Sequence, residues 1–322
     1  MEPKFSIITA NYNGFQLMDK YFRSLEEQSY NNFEVIIIDD CSTDDSYKNL
    51  LDYTKKSKMN IKVYKTKKNS GPGIARNIGI EKSKGEYITF IDNDDWVESK
   101  LLEKINAILE KKKYDCIIYN YYIDNYKGQI KKTSVYNATG NILSKNYALK
   151  YVRNHTVCKV YNSKIFKNKN VRFPAIRRHE DIAFVGTALL NCESFYYLDE
   201  YLYHYIQYKD SLSSNKKMDE QSLIEAFEIL KKNFNGKYQD ELKNKSVTDL
   251  LYGCVLIMCK NSSSRKKIID FINKYDSEYN QWYETEIINY VGKSKKIFLN
   301  LIKNRNILLL KVLAIIHSII LK

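Results

Sequence analysis

Short apolar runs rich in Ile and Val alternate with longer stretches whose apolar positions recur at helical spacing over the first 120 residues. The runs at 5–10, 33–38, 61–66, 86–91 and 115–119 are predicted strands. The stretches at 15–28, 43–56, 72–83 and 98–111 are predicted helices. Strands that stay apolar without alternation belong in a sheet covered on both faces, and the βαβα order predicts a doubly wound, mainly parallel α/β sheet. From 121 to about 170 the pattern weakens, with a hairpin expected near Gly128 and a helix over 144–153. Strand-like runs follow at 195–198 and 201–205. Beyond Asn215 only helical spacing remains, so the chain is read as an α/β domain over 1–214 and an all-helical region over 215–322.

Composition narrows this picture. With 322 residues, 44% of them hydrophobic and only 3 Pro, the chain is expected to be globular with an ample core. Its net charge of +14 invites nucleic acid, a membrane surface or anionic substrates. Part of that excess accompanies a general abundance of Lys, Asn, Ile and Tyr, as in an AT-rich genome. No nucleic-acid-binding module is recognisable, so no nucleic-acid partner is expected. The six cysteines are scattered without CxxC spacing, which disfavours zinc and dithiol chemistry and suggests reduced, buried thiols. Residues 1–4 lead straight into a strand and no uncharged apolar run reaches spanning length. A cytoplasmic protein, soluble or peripheral on the inner face of the membrane, is expected.

Candidate chemistry gathers at the predicted strand ends. The run Tyr87-Ile88-Thr89-Phe90-Ile91 stops at Asp92-Asn93-Asp94-Asp95, three carboxylates within four residues. Ligands of open α/β sheets sit beyond the carboxyl ends of the strands. Asp92 and Asp94 there would repel unless a hard divalent cation, Mg²⁺ or Mn²⁺, lay between them. The other reading is a solvated acidic turn capping the next helix. Asn11-Tyr12-Asn13-Gly14 follows the first strand, and Asp39-Asp40-Cys41-Ser42-Thr43-Asp44 the second. Asp40 is a candidate ligand for a base or ribose, whereas Ser42 and Thr43 read as helix caps.

Asn69-Ser70-Gly71-Pro72-Gly73-Ile74-Ala75-Arg76 fails the dinucleotide fingerprint, because Arg76 stands where the third Gly belongs. A cation near a helix start is unfavourable unless an anion is shared with it, which points to a diphosphate. A surface arginine is the alternative. Glu180-Asp181 heads an apolar helix and, by itself, reads first as a charge–dipole cap.

From Lys293 onward there are seven basic residues and no acidic one, interleaved with apolar positions. This tail suits an anionic membrane surface via 293–322, or else packing on the domain or in a homodimer.

Taken in order, Ser6-Ile7-Ile8 with Asn11-Tyr12-Asn13, the 33–44 segment, the 69–77 segment, Asp92-Asn93-Asp94 and Glu180-Asp181 resemble the family 2 glycosyltransferases of GT-A fold. The resemblance covers residues 4 to about 213. It implies an inverting, metal-dependent transfer of a sugar from a nucleotide sugar, most often UDP-linked. The acceptor would be a hydroxyl of a bacterial surface glycan such as capsule, lipooligosaccharide or teichoic acid, a class inferred from the basic, apolar tail, which suits lipid-linked or polyanionic acceptors.

It also implies residue roles. Ala10 and Asn11 with Asp40 would hold the base, and Arg76 would face the diphosphate. Asp92 would meet the ribose or sugar, and Asp94, with Asp92, would bind the Mn²⁺ or Mg²⁺. Asn69, Asn93, Glu180 and Ser211 would line the donor site, and Asp181 would be the general base.

One departure is that Tyr205 is followed by Ile206 where many relatives carry Arg, leaving phosphate contacts to His204, Lys209, Ser211 or Ser213. His204 reads either as a structural residue or as one able to reach the metal. A sugar nucleotidyltransferase is the rival enzyme, but its Gly-rich, Lys-containing loop is missing after the first strand. A non-catalytic glycan-binding scaffold would show a damaged metal motif or a lost base, and neither damage is visible.

Overall fold

The computed structural model describes residues 2–125, 128–138, 140–176, 178–208 and 219–320. Ser211, Lys209, Ser213 and the boundary expected at 214/215 lie outside them. The chain forms two units, Met1–Lys145 with Arg153–Gln207, and Asn146–Val152 with Tyr208–Lys322.

The first unit is built on one sheet. Its strands are β1 (Phe5–Asn11), β2 (Phe33–Asp39), β3 (Ile61–Lys65), β4 (Tyr87–Phe90), β5 (Trp96–Val97) and β6 (Cys116–Asn125). They continue with β7 (Gly128–Lys132), β8 (Ile142–Leu143), β9 (Lys159–Asn162) and β10 (Phe195–Ile206). The order is β3-β2-β1-β4-β9-β6-β10-β5, with β7 on β6 and β8 on β10. β1 to β4 pair in parallel, as do β6 and β10. β9 runs antiparallel between β4 and β6, and β5, β7 and β8 are also antiparallel, so the sheet is mixed. The interleaved helices are α1 (Asp19–Glu26), α2 (Ser46–Lys56), α3 (Pro72–Lys82) and α4 (Leu101–Lys111).

The buried strands explain themselves. β2 is buried at every position, as expected of an Ile-rich strand with both faces covered. The carboxylate near its start, Glu34, accepts from Ser6 Oγ, Lys62 Nζ and the Lys84 N–H, each at 2.7 Å. Burial alone would raise the Glu34 pKa, but these donors outweigh it and hold it below the ordinary value. Glu34 therefore adds stability above the usual carboxylate range, and that contribution is lost as pH falls through its lowered pKa.

α3 lies close on β1. A Cβ on Gly79 would stand 2.3 Å from Ile8 Cγ2, and Ile8 is fully buried and cannot swing aside. Overpacking costs about 1–3 kcal/mol and exceeds the gain of about 1 kcal/mol from replacing a helical Gly by Ala. Gly79→Ala is expected to lower the urea midpoint without changing the slope; an unchanged midpoint would mean that α3 can shift.

Three differences from the expected elements have physical causes. β9 is only four residues long and opens on a lysine. Lys159 is nonetheless fully buried, its amine donating to the His155 carbonyl at 2.6 Å. The runs at 195–198 and 201–205 form one strand, because β10 passes Asp199-Glu200 with register shifts against β6. Five cysteines are buried, but Cys41 is half-exposed on a left-handed turn (φ 61°).

The helical expectation for the end of the chain holds for the second unit. It includes α5 (Lys145–Tyr151) from residue 146 on, whereas α6 (Lys164–Lys169) and α7 (Glu180–Leu190) belong to the first unit. Its other helices are α8 (Glu220–Phe234), α9 (Gln239–Ser246), α10 (Tyr252–Lys260), α11 (Arg265–Glu278), α12 (Ile287–Tyr290), α13 (Lys293–Lys303) and α14 (Ile307–Ile320). Asp219 caps α8 by accepting from Gln221 N at 3.0 Å and Ser222 N at 3.3 Å. Asn146 donates to Glu241 at 2.7 Å, and Lys245 donates to the Val152 carbonyl at 2.9 Å.

Candidate active site

β1 and β4 are the strands between which the order of the parallel half reverses. Their pairing stops at Ile8–Phe90, so their ends form the two lips of a crevice at a topological switch point. Thr9 Oγ1 donates to the Ile91 carbonyl at 2.8 Å and fixes where the chain leaves β4. Ala10 and Asn11 stand on the opposite lip, in register with Ile38 and Asp39 of β2.

Buried Asn11 joins three segments. Its Nδ2 donates to Asp39 Oδ2 at 3.1 Å, and its Oδ1 accepts from Asn93 Nδ2 at 2.8 Å. The Asn11 carbonyl accepts from the Asp40 N–H at 2.7 Å. Gly14 makes room for this arrangement, since a Cβ there would lie 2.2 Å from Asn93 Nδ2.

The acidic loop is anchored from below. Tyr203 in β10 donates its hydroxyl to Asp95 Oδ2 at 2.6 Å and accepts from the Asp92 N–H at 3.2 Å. The Ile206 N–H donates to Asp95 Oδ1 at 2.8 Å. Burial, followed by the charges of Asp92 and Asp94, pushes the Asp95 pKa well above the ordinary range. Asp94 projects from the same turn; burial and the neighbouring Asp92 raise its pKa to about 6. These carboxylates are held together against their own repulsion.

Arg76 is the cation that faces them. It is buried, with Nη2 2.7 Å from Asp92 Oδ1 and Nη1 3.5 Å from Glu180 Oε1. Its guanidinium carbon lies 5.5 Å from the centre of the Phe173 ring. Burial opposes its charge, but Asp92, Glu180 and Asp181 together raise its pKa. The anion expected beside this arginine is thus present as carboxylates. Burial raises the Glu180 pKa, and Arg76 offsets this only in part.

Asp181 sits on the first turn of α7, its Oδ1 2.9 Å from the Ile182 N–H. α7 is apolar nearly all round and is packed in the core. Phe184 stacks on Phe173 at 3.6 Å and meets Phe90 of β4 edge-on at 5.7 Å. Asn77 holds the other side of Phe173, donating to its carbonyl and accepting from its N–H, both at 2.9 Å. The head of α7, Arg76 and the end of β4 are therefore fixed relative to one another by packing.

The structure brings together Ala10, Asn11, Arg76, Asp92, Asn93, Asp94, Glu180 and Asp181. Asp40 is nearby, but its carboxylate accepts from Ser70 N (3.0 Å), Gly71 N (2.7 Å) and Thr66 Oγ1 (2.9 Å). It shapes the turn after β3 on which exposed Asn69 sits. His204 departs from the metal-reaching alternative. It is buried, Nε2 facing Glu98 at 2.9 Å and Nδ1 facing Asp124 at 3.1 Å, and it stacks on Trp96. Asp95, Tyr203, Asn77 and Phe173 are the positioning residues that sequence reasoning missed. Of these only Asp95 and Asn77 carried a signal, by adjoining the acidic and arginine motifs.

Among the described residues, no group of three or more His, Cys, Asp and Glu is arranged to hold a metal ion. Asp92 and Asp94 offer two hard carboxylates, the protein's usual share when Mg²⁺ or Mn²⁺ is bound together with substrate phosphates. The donor set therefore fits a divalent ion that arrives with a diphosphate.

Comparison with known proteins bears on the fold and the family. TarS of Staphylococcus aureus, a poly(ribitol-phosphate) β-N-acetylglucosaminyltransferase, is 28% identical over 206 residues, 63% of this chain. The chain spans only 35% of the length of TarS. GlyG of Streptococcus pneumoniae, a glycosyltransferase, is 25% identical over 312 residues, which cover 92% of this chain and 97% of GlyG. The crystal structure of TarS residues 1–349 with UDP-GlcNAc matches at a TM-score of 0.67 and 21% identity, covering 97% of this chain and 90% of that one. The family described as "Glycosyl transferase family 2" matches residues 6–169, just over half of the chain. Together with the mixed GT-A-like sheet, the match shows that this chain belongs to glycosyl transferase family 2.

Proposed function

We propose that the protein transfers a sugar from a UDP-sugar to a hydroxyl of a bacterial surface glycan, with inversion, and that Mn²⁺ or Mg²⁺ assists. The observation that carries the reading is the convergence of Asp92, Arg76 and the head of α7 beside the β1/β4 crevice. Inversion requires one in-line displacement at the anomeric carbon and one carboxylate to take the acceptor proton. Asp181 is assigned that role. Ala10 and Asn11 form the lip on which the base rests, and Asp40 keeps the 69–71 turn in place beneath it. Arg76 exchanges a carboxylate partner for the diphosphate. Asp92 and Asp94 would hold the divalent ion, which when bound supplies positive charge for the departing nucleoside diphosphate.

A teichoic-acid-like acceptor is favoured by the relatives. Besides TarS, a poly(ribitol-phosphate) β-glucosyltransferase of Bacillus spizizenii is 27% identical over 289 residues, covering 87% of this chain and 44% of that one. The net charge of +14 suits a polyanionic acceptor of that kind.

Calorimetric titration with UDP, UDP-GlcNAc, UDP-glucose and GDP, with and without Mn²⁺, tests the donor. Binding of UDP and one UDP-sugar, strengthened by Mn²⁺, is the expected result. Preference for GDP would overturn the uracil assignment, and no binding by folded protein would overturn the active-site assignment.

A further inference from the structure

We propose that the outer face of α14, together with a cationic cleft at its start, docks on the surface of a bilayer that contains anionic lipid. Over its described side chains, residues 307–316, α14 carries apolar residues on all sides but is packed on only one. Ile307, Leu310 and Ala314 are buried, whereas Leu308, Leu309, Val312, Ile315 and Ile316 are exposed, Leu308 at 75% and Ile315 at 58%. At about 100° per residue the exposed five share an arc of about 120°, opposite the buried three. An exposed, contiguous apolar stripe of this kind marks an interaction surface.

Charge selects the occupant. Residues 293–322 hold seven basic side chains and no acidic one. Beside Leu308 a cleft of about 490 Å³ is lined by Arg265, Arg305, Lys311, Asn304 and Asn306. Arg305 is paired with Asp276, and the cleft's other two cations are exposed Arg265 and half-buried Lys311. A second copy docking through the same face would set these cations against themselves, whereas lipid phosphates complement them. Among the described residues no helix is long and apolar enough to cross a membrane. The helix would therefore lie in the interfacial plane, its stripe among the acyl chains and its cations at the headgroups.

The test is co-sedimentation of the full chain with phosphatidylcholine vesicles, with and without phosphatidylglycerol. Binding is expected only where phosphatidylglycerol is present, and is expected to weaken with salt. Leu308→Glu/Val312→Glu/Ile315→Glu is expected to reduce it by at least about tenfold. Arg265→Gln and Lys311→Gln are each expected to reduce it by about fivefold. Both sets alter exposed or cleft positions, and circular dichroism and nucleotide binding check that the fold and the donor site remain. Equal binding to both vesicle types, no binding, or binding that neither set affects would overturn the proposal. So would a dimer in sedimentation velocity that the triple substitution makes monomeric while vesicles are ignored.

Discussion

Asp181→Asn is expected to lower the turnover of sugar transfer by about 10²–10⁴-fold, the usual contribution of a positioned general base. UDP affinity should stay within about twofold, since the amide keeps the side chain's size and its place at the head of α7. The packing supports this separation. α7 is held by Phe184 against Phe173 and Phe90, contacts that do not involve residue 181. Single-turnover kinetics with calorimetry would measure both quantities. If nucleotide binding fell together with turnover, Asp181 would instead be a partner that holds Arg76, whose charge it helps to support. Loss of the acid limb from the pH–rate profile, which a purely structural substitution would leave in place, would identify the base directly.

Asp94→Asn is expected to act in opposite directions on stability and on function. In the folded chain the Asp94 pKa lies at about 6 because of burial and Asp92. The unfolded value is that of an ordinary carboxylate, about 4. Between those values the folded state binds more protons, so stability falls as pH rises from about 4 to about 6 and stays reduced above. The shift corresponds to at most about 3 kcal/mol, and solvent screening at a partly exposed group reduces it to about 1–2 kcal/mol.

The Asn variant should therefore melt a few degrees higher than the parent at pH 7.5, with the difference vanishing near pH 4. It should also lose Mn²⁺-dependent UDP binding. A variant that melts lower at pH 7.5 would refute the electrostatic account. Undiminished Mn²⁺ dependence would remove Asp94 from the proposed ion site.

The parallel half of the sheet was legible because β1, β2 and β4 are continuous apolar runs, and such runs have few other places to go. β9 was not, because it has four residues and begins with Lys159. Its burial depends on carbonyls presented by the 155–157 turn. At the site, the acidic loop, Arg76 and the Glu180-Asp181 pair were legible as local chemistry. The requirement that an anion accompany Arg76 was also readable. That Asp92 and Glu180 fill it in the free protein was not, since those partners are 16 and 104 positions away. Asp40 shows the same limit. A carboxylate at a strand end suggests a ligand, but only the folded chain shows the 70–71 amides turning back onto it. Tyr203 gave no sign of its place beneath the acidic loop, being one of 28 tyrosines.

The position of β9 bears on how the chain assembles. Residues 5–90 contain four strands that can pair in parallel as they emerge during synthesis, but the outer edge of β4 then waits for Lys159–Asn162. Only when β9 arrives can the β6 and β10 half join the first half of the sheet. Until then β4 offers open backbone donors and acceptors to any other extended chain. Long-range pairing of this kind slows folding and lengthens the exposure of such an edge. Truncations ending between residues 90 and 158 are thus expected to aggregate, and production of the first unit alone requires the chain to continue at least through β10.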